Sequence, residues 1–448
     1  HDNKPPTSVV QSASALAGPL AAAALKTAAG ALVQRHANLR ARFMHHTAEP
    51  VQVIAREVAL PWQDIDLRHL AAHEREAELA RWLQEDRLQP FQPARAPLLR
   101  FALIRLAPQL ARLVFTSHHI LLDGWSMPIV INELFALYRA RGDVGTLAPP
   151  APYRNYLAWL KRQDRETSVG AWKEALAGLQ APTLLAPGPV EKSGRQDLIA
   201  CSLSEALTQS LGQQARQHGL TLNSLLQGAW GLLLGRLTGS EDVVFGITVS
   251  GRPPELAGVE RMVGLFINTV PLRQRFHLHE PVVQAVARLQ DEQSGLTAHQ
   301  HLALTDIQRL AGFASLFDTL FVFENYPADV GARAPSGDGL QVSRAGSHGG
   351  DTTHYPLSIV AIPGAQLQLR VGFRPDVFAH ADVERLVARF KRVLEAIAAD
   401  PSQPIGRIDI LEREERAQIL LGWNDTAHTA TVPGATLPAL FEQQAARA

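Results

Sequence analysis

The amino-acid sequence predicts a mixed α/β protein built from two lobes. Its 448 residues are too many for one ordinary hydrophobic core, and 46% of them are hydrophobic, which is enough for a large buried interior. Helix and strand patterns in the first half return in the same order in the second half. Segments rich in Pro and Gly lie between the halves, at residues 142–152 and 181–194. We expect the lobe boundary in this region.

The first half alternates helical and strand patterns. An Ala- and Leu-rich helical pattern precedes a strand, a polar helix follows, and Pro108 separates two strand patterns that we expect to pair as a hairpin. Ser126 is a suitable cap for the next helix, with Pro128 in its first turn. A pair of histidines, residues 118 and 119, therefore lies at a strand end and in the loop after it. The predicted helices cover residues 20–43 and 73–88, and the predicted strands cover residues 50–54, 98–106 and 112–119.

The second half repeats the order of helix, turn and strand without visible sequence identity to the first half. Two later strand patterns meet at a Pro-Gly turn, residues 363–364. We predict a first lobe at residues 1–177, a second lobe at residues 178–411 and a linker at residues 412–448. The predicted helices here are 222–237 and 383–397, and the predicted strands are 242–249, 316–324, 357–362 and 367–373.

Composition argues against several classes of function. The 43 basic and 43 acidic side chains cancel, and no segment combines basic residues with interleaved aromatics, so nucleic acid is not an expected partner. The single cysteine, Cys201, excludes an internal disulfide and fits a reducing cytoplasm. No apolar run approaches the roughly 20 residues of a membrane span, and the first residues lack a signal-peptide pattern. We therefore expect a cytoplasmic protein that does not enter a membrane.

Residues 118–124, which read HHILLDG, carry the strongest chemical signal. Adjacent strand residues point to opposite faces, so only one of His118 and His119 can face a given channel. A neutral imidazole near the carboxylate of Asp123 in a dry cleft suits proton transfer at neutral pH, and Gly124 permits close backbone approach. A packed or exposed His pair followed by an ordinary Asp-Gly turn would give the same sequence pattern. A metal site is disfavoured because the two rings diverge and no further ligand cluster follows.

Four motifs in order resemble the condensation domains of nonribosomal peptide synthetases. Residues 117–126 (SHHILLDGWS) resemble the HHxxxDG signature, and residues 35–43 (RHANLRARF) resemble the Arg-His-x-x-Leu-Arg motif. Residues 153–159 (YRNYLAW) resemble the Tyr-rich helix, and residues 263–273 (VGLFINTVPLR) resemble the Gly-x-Phe-x-Asn-Thr segment. Residues 421–426 (LGWNDT) resemble the linker that enters an adenylation domain.

The resemblance implies a fold and a reaction. The expected fold is a V-shaped pseudodimer of two lobes of the chloramphenicol-acetyltransferase type, with an active-site tunnel between them. The acceptor amine would attack the donor thioester to form an amide. Donor and acceptor would arrive on phosphopantetheine arms of upstream and downstream carrier proteins, so the domain itself would bind no cofactor. Epimerization and adenylation domains are the expected neighbours.

The resemblance also implies residue roles. His119 would orient or deprotonate the attacking amine, and His118 would be structural. Asp123 would hold the loop through an arginine, for which Arg273 is the first candidate and Arg40 the second. The remaining implied roles are an oxyanion contact from the Gly124 backbone N–H and a tunnel wall formed by Trp125, Ser126 and Asn268.

The forms of four segments, residues 117–128, 152–160, 263–269 and 317–327, resemble the subtype that follows an epimerization domain and joins a donor ending in a D-residue to an L-aminoacyl acceptor. Alternatives are a non-catalytic, partner-recruiting member of the family and an epimerization domain, which keeps the His pair. A heterocyclising relative would carry Asp in place of the His pair, and an acyltransferase that uses coenzyme A usually carries Asp-Phe-Gly-Trp-Gly. The family's opening motif is absent, and Arg-His-Ala-Asn replaces the more usual Arg-His-Glu at residues 35–38. We interpret His299, His301 and His354 as surface or packing residues.

Overall fold

The chain folds into two compact units, residues 1–408 and residues 409–448. A computed structural model describes residues 9–44, 50–186, 196–325, 339–344, 353–426 and 436–447. Within these ranges, no helix is both long enough and apolar enough to cross a lipid bilayer.

The first half of the larger unit contains six strands and five helices in its described part. The hairpin predicted around Pro108 is confirmed, because its two strands pair antiparallel. The pattern missed the first, second and fourth strands. The helix expected over residues 20–43 ends at Arg35, and residues 41–44 form the second strand. The strands are β1 Val9–Ala17, β2 Ala41–Met44, β3 Val51–Ile54, β4 Trp62–Asp66, β5 Leu99–Ala107 and β6 Leu110–His118, and the helices are α1 Ala22–Arg35, α2 Ala72–Leu88, α3 Ser126–Arg139, α4 Tyr153–Lys161 and α5 Arg165–Ala175.

The second half follows the predicted order of helix, strand and closing helix. The strand expected at residues 242–249 has these same bounds, whereas the strand that begins at Asn268 was not predicted. The strands are β7 Asp197–Ser202, β8 Asp242–Val249, β9 Asn268–Arg275, β10 Thr319–Phe323, β11 Gln341–Arg344, β12 Leu357–Ile362 and β13 Gln368–Phe373, and the helices are α6 Glu205–Gln217, α7 Leu222–Thr238, α8 Val282–Gly295, α9 Leu304–Ala311 and α10 His380–Ala399.

The described part of the smaller unit, residues 409–426 and 436–447, is mainly helical. Its described part contains α11 Arg413–Ala417, a short π-helix Gln418–Gly422 and α12 Leu437–Ala445. Arg416 forms an ion pair with Asp409 at 2.6 Å.

Two mixed sheets organise the larger unit. The first has the order β11-β1-β6-β5-β4, and the second has the order β7-β13-β12-β10-β8-β9. Strand β11 comes from the second half of the chain but pairs with β1 in the first sheet. The second half of the chain therefore contributes to both sheets.

Alternation along the strands gives the first sheet two buried faces, as expected for a central sheet covered by helices. On β5, Phe101 and Leu103 belong to the core formed with α1 and α3. Their neighbours Ala102 and Ile104 belong to a second core that includes Leu83 of α2. The central strand of this covered sheet, β6, ends at His118. The sheet therefore provides a rigid base for the residues that follow.

Helix α7 is buried on nearly all sides, and its glycines allow close packing. A Cβ atom at Gly235 would lie 2.7 Å from the backbone oxygen of Ser240 and 2.7 Å from the ring of Phe276. Gly170 on α5 differs, because no atom lies within 4 Å of the place its Cβ would take.

We expect the two helical glycines to respond oppositely to alanine. Gly235→Ala should lower the free energy of unfolding by about 1–3 kcal/mol through overpacking. Gly170→Ala should raise it by about 0.5–1 kcal/mol, because alanine favours the helix. Thermal unfolding of both variants measures the difference, and equal melting temperatures would contradict the packing described for α7.

Candidate active site

The histidine pair lies where β6 ends. His118 is the last residue of the strand, and a single 3₁₀ turn, His119–Leu121, follows it. The predicted position at a strand end and in the following loop is confirmed. Leu121 and Leu122 are buried in the core between the first sheet, α1 and α3, so the turn is anchored by apolar packing. The chain then reaches α3 at Ser126.

The His118 ring has a structural partner. Its Nδ1 atom accepts a hydrogen bond of 3.1 Å from the backbone N–H of Ile120, which fixes the start of the turn. This bond requires Nδ1 without a proton. Burial, together with the neighbouring His119, lowers the pKa of His118 and so favours the neutral ring that the bond needs.

Asp123 is the most heavily bonded side chain of the loop, and it is buried. Its Oδ1 atom accepts hydrogen bonds from the backbone N–H of Ser126 at 2.9 Å and from the Ser126 hydroxyl at 2.8 Å. Its Oδ2 atom accepts one from the backbone N–H of Phe266 at 3.1 Å. The guanidinium of Arg252 donates to Oδ1 at 3.2 Å. These bonds join the loop to two segments of the second half of the chain.

Arg252 is itself buried, with a side chain 4% exposed. Its guanidinium lies over the ring of Phe266 at 3.9 Å and faces the ring of Trp125 at 5.5 Å, which are cation–π contacts. It also donates to the backbone carbonyl of Met262 at 3.0 Å. Burial lowers the pKa of Arg252, while the charge of Asp123 raises it. The carboxylate therefore compensates the buried cation.

The expectation that Arg273 or Arg40 holds Asp123 was wrong. Arg273 lies on β9, where it forms an ion pair of 2.7 Å with Asp242 of the neighbouring strand β8. Arg40 ends the 3₁₀ helix Ala37–Arg40, and its guanidinium donates to nearby backbone carbonyls, including that of Arg56 at 2.8 Å. Local acceptors bind both arginines. Arg252 was not singled out from the sequence.

Two residues expected at the tunnel wall are engaged within the protein. Ser126 is 0% exposed, and its hydroxyl contacts Asp123, Arg252 and the backbone of Gly264, so a tunnel-lining role for Ser126 was wrong. Ser126 is also the first residue of α3 and not its N-cap. The Asn268 carboxamide donates to two backbone carbonyls, at 2.8 Å each, in the segment 300–302. Asn268 therefore holds this segment.

Two glycines allow the second half of the chain to approach the loop closely. The backbone carbonyl of Gly264 accepts a hydrogen bond of 3.1 Å from the N–H of Asp123, and a Cβ atom at Gly264 would lie 2.1 Å from the ring of Tyr153. Gly251, directly before Arg252, has φ +60° and would place a Cβ atom 1.8 Å from a backbone oxygen. The sequence Ser-Gly-Arg-Pro after a strand, at residues 250–253, was the available signal for Arg252.

The loop also holds polar groups that the described residues leave without a hydrogen-bond partner. Across the described ranges, neither the His119 ring nor the Gly124 backbone N–H forms a hydrogen bond to another residue. Trp125, the next residue, donates its indole N–H to the backbone carbonyl of Glu260 at 3.0 Å. The loop is thus fixed around two groups that remain free to bind something else.

The three histidines interpreted as surface or packing residues contact neighbouring side chains. His299 Nδ1 and His301 Nε2 contact the Ser168 hydroxyl at 3.0 and 3.3 Å, and the His354 ring lies 4.2 Å from that of Tyr355. In the ranges that the structure describes, no group of three or more His, Cys, Asp or Glu side chains is arranged to hold a metal ion.

Comparison with known families decides the affiliation of the chain. Residues 2–420 match the family described as the condensation domain. The chain belongs to the condensation-domain family. Condensation domains catalyse peptide-bond formation by acyl transfer in nonribosomal peptide synthetases.

Curated relatives are much longer proteins. One of the linear gramicidin synthase proteins of Brevibacillus parabrevis is 36% identical over 448 residues, which cover 98% of this chain and 9% of the relative. Chondramide synthase cmdD of Chondromyces crocatus is 39% identical over 421 residues, which cover 91% of this chain and 10% of the relative. The condensation domain thus spans about a tenth of the length of these synthases.

Solved structures confirm the fold class, two sheet-containing lobes of the chloramphenicol-acetyltransferase type. The first condensation domain of the calcium-dependent antibiotic synthetase, in complex with a substrate analogue, has a TM-score of 0.73 at 24% identity, covering 91% of this chain and 94% of that one. The X-domain from teicoplanin biosynthesis has a TM-score of 0.78 at 22% identity, covering 92% and 94%.

The choice of Arg252 as the partner of Asp123 can be tested by a double-mutant cycle. Asp123→Ala alone should lower the free energy of unfolding by about 3–5 kcal/mol, because it leaves the Arg252 charge buried without its partner. Asp123→Ala and Arg252→Ala should be coupled by more than about 1 kcal/mol. Asp123→Ala and Arg273→Ala should be additive. Coupling to Arg273 with additivity to Arg252 would contradict the site.

The stability of the protein should depend on pH through His118. The folded-state pKa of His118 is lowered, so near pH 6.5 and below the unfolded chain binds more protons and stability falls as pH falls. His118→Asn keeps an acceptor for the Ile120 N–H but does not titrate. The melting temperature of the wild type should fall more than that of the variant between about pH 7.5 and pH 5.5. Parallel curves would exclude His118 as a source of this dependence.

Proposed function

We propose that this condensation domain forms an amide bond between a donor thioester and the amine of an acceptor, with His119 and Gly124 as its reactive groups. The observation that carries the proposal is the pair of free polar groups in a fixed loop. The His119 ring and the Gly124 N–H have no partner within the described protein, while His118, Asp123 and Trp125 around them are bonded.

The proposed reaction needs one protein group that accepts a hydrogen bond and one protein group that donates a hydrogen bond. The acceptor amine attacks the carbonyl carbon of the donor thioester, the C–S bond breaks, and the amine proton leaves as the thiol forms. The His119 ring accepts a hydrogen bond from the amine, and either orients it or takes its proton. The Gly124 N–H faces the oxygen that becomes negative during attack. Trp125 is the proposed wall of the substrate channel.

Carrier proteins are the proposed partners. The two curated relatives described above are synthases about ten times longer than this chain, so each has room for further domains on the same polypeptide. We propose an upstream donor carrier and a downstream acceptor carrier, each with a phosphopantetheine arm. An epimerization domain before this one and an adenylation domain after it are the proposed neighbours. The cytoplasm, whose thiols are reduced, suits the single Cys201.

The proposed subtype accepts a donor that ends in a D-residue. Its support is the form of four segments, residues 117–128, 152–160, 263–269 and 317–327, the last two positions of which lie outside the described residues. An L-aminoacyl acceptor completes this subtype.

A partner-recruiting role is the second candidate, and one finding favours it. The X-domain from teicoplanin biosynthesis, which has this fold, has been solved in complex with OxyB, at a TM-score of 0.76 and 23% identity to this chain. The fold therefore occurs in a domain that binds another protein. The intact His pair at residues 118–119 favours catalysis here.

A reconstituted transfer assay tests the proposal. One carrier protein is loaded with a peptidyl donor ending in a D- or an L-residue, and the other with an L-aminoacyl acceptor. We expect the D-ended donor to be transferred and the L-ended donor to be transferred at least about tenfold more slowly. Intact-protein mass spectrometry of both carriers follows product formation. Equal transfer of both donors would exclude the subtype.

Variants of His119 separate the proposed roles. His119→Ala should lower the transfer rate at least about 100-fold, in the range of a lost general base. His119→Gln keeps a hydrogen-bond acceptor but not a base, so partial recovery would assign orientation and no recovery would assign proton transfer. A folded His119→Ala variant with the wild-type rate would favour the recruiting role. Conversion of L- to D-ended donor without acceptor would indicate an epimerase.

A further inference from the structure

Asn38 reaches the turn that carries His119 from a distant part of the chain. It lies in the 3₁₀ helix Ala37–Arg40, between α1 and β2, and its side chain is buried, 4% exposed. Its Nδ2 atom donates a hydrogen bond to the backbone carbonyl of Leu121, 83 residues further on. Leu121 is the last residue of the 3₁₀ turn that begins at His119. Asn38 therefore holds the far end of this turn.

The turn is held by one side chain at each end. At its start, His118 accepts from the backbone N–H of Ile120 at 3.1 Å. At its end, Asn38 donates to the carbonyl of Leu121, a residue that is 0% exposed. A buried carbonyl that loses its donor has no water to replace it, so the peptide unit would move to find another partner.

Asn38 is itself rigidly placed. Its Oδ1 atom accepts a hydrogen bond of 2.6 Å from Gln52 on β3. Two residues before it, the buried ring of His36 contacts Glu133 of α3 at 2.7 Å. The residue after it, Leu39, is 0% exposed in the core. These contacts fix the backbone on both sides of Asn38 and the direction of its carboxamide.

We propose that Asn38 is a positioning residue for His119 and acts through the carbonyl of Leu121. The inference rests on the proposed function of His119 and adds to it a residue outside the HHxxxDG segment. It gives a physical role to the segment of residues 35–38, which differs from the usual family motif. A misplacement of the ring by about 1 Å would suffice to slow the reaction strongly.

The test compares two buried carboxamides that each donate to a backbone carbonyl. Asn38→Leu removes the donor to Leu121 at similar size. Gln11→Leu is the control: Gln11 is 4% exposed and donates to the carbonyl of Leu83 and, at 2.6 Å, to the carboxylate of Asp86, on the face of the sheet that packs against α2. In the transfer assay, kcat of Asn38→Leu should fall about 10- to 100-fold, while the KM for the loaded donor carrier and the KM for the loaded acceptor carrier stay unchanged. Gln11→Leu should lower the melting temperature without changing kcat.

The possible outcomes separate this inference from the proposed function. A folded Asn38→Leu variant with wild-type kcat, beside an inactive His119→Ala variant, overturns the positioning role and leaves the proposed function intact. Wild-type activity of His119→Ala overturns the proposed function itself. If Asn38→Leu does not fold, Asn38→Ala replaces it, because alanine removes the donor to Leu121 without adding bulk or charge to the buried site. The same loss of kcat is then expected, and its absence overturns the inference.

Discussion

The buried ion pair of Asp123 and Arg252 is the interaction on which the candidate site depends. Both side chains are almost inaccessible to solvent, and the carboxylate also accepts hydrogen bonds from the backbone N–H groups of Ser126 and Phe266. A buried pair of this kind is stable only when its remaining hydrogen bonds are satisfied. The ion pair and these bonds therefore join the loop after β6 to two segments of the second half of the chain, the segment after β8 that carries Arg252 and the segment before β9 that carries Phe266. A change in either segment would move the loop.

The loop contains residues that fix its structure and polar groups that remain available to bind a substrate. Apolar packing of Leu121, the ring of His118 and the carboxamide of Asn38 fix the turn, and the ion pair fixes the residues after it. The His119 ring and the Gly124 N–H are left without partners in the described protein. When the surrounding residues are rigid and the polar groups have no partner, a site can bind a reacting substrate without reorganising.

Much of this arrangement could be predicted from the sequence. The rest could not be predicted, for physical reasons. Two strand-like runs separated by Pro108 predicted β5 and β6, and the HHxxxDG residues were placed correctly at a strand end. Strand β1 was missed because its small Ala and Ser residues carry little β-propensity. The partner of Asp123 was misassigned because Arg252 lies 129 residues away and the topology, not the spacing, brings it close. Local acceptors bind Arg273 and Arg40, which sequence cannot show.

We propose that His119, and not His118, faces the substrate. Selective ¹⁵N labelling of histidine, with His118→Asn and His119→Gln variants for assignment, allows both rings to be observed by NMR during titration with an aminoacyl-pantetheine acceptor. We expect the His119 signals to shift on addition of the acceptor while those of His118 do not. A response of His118 with no change at His119 would contradict this proposal.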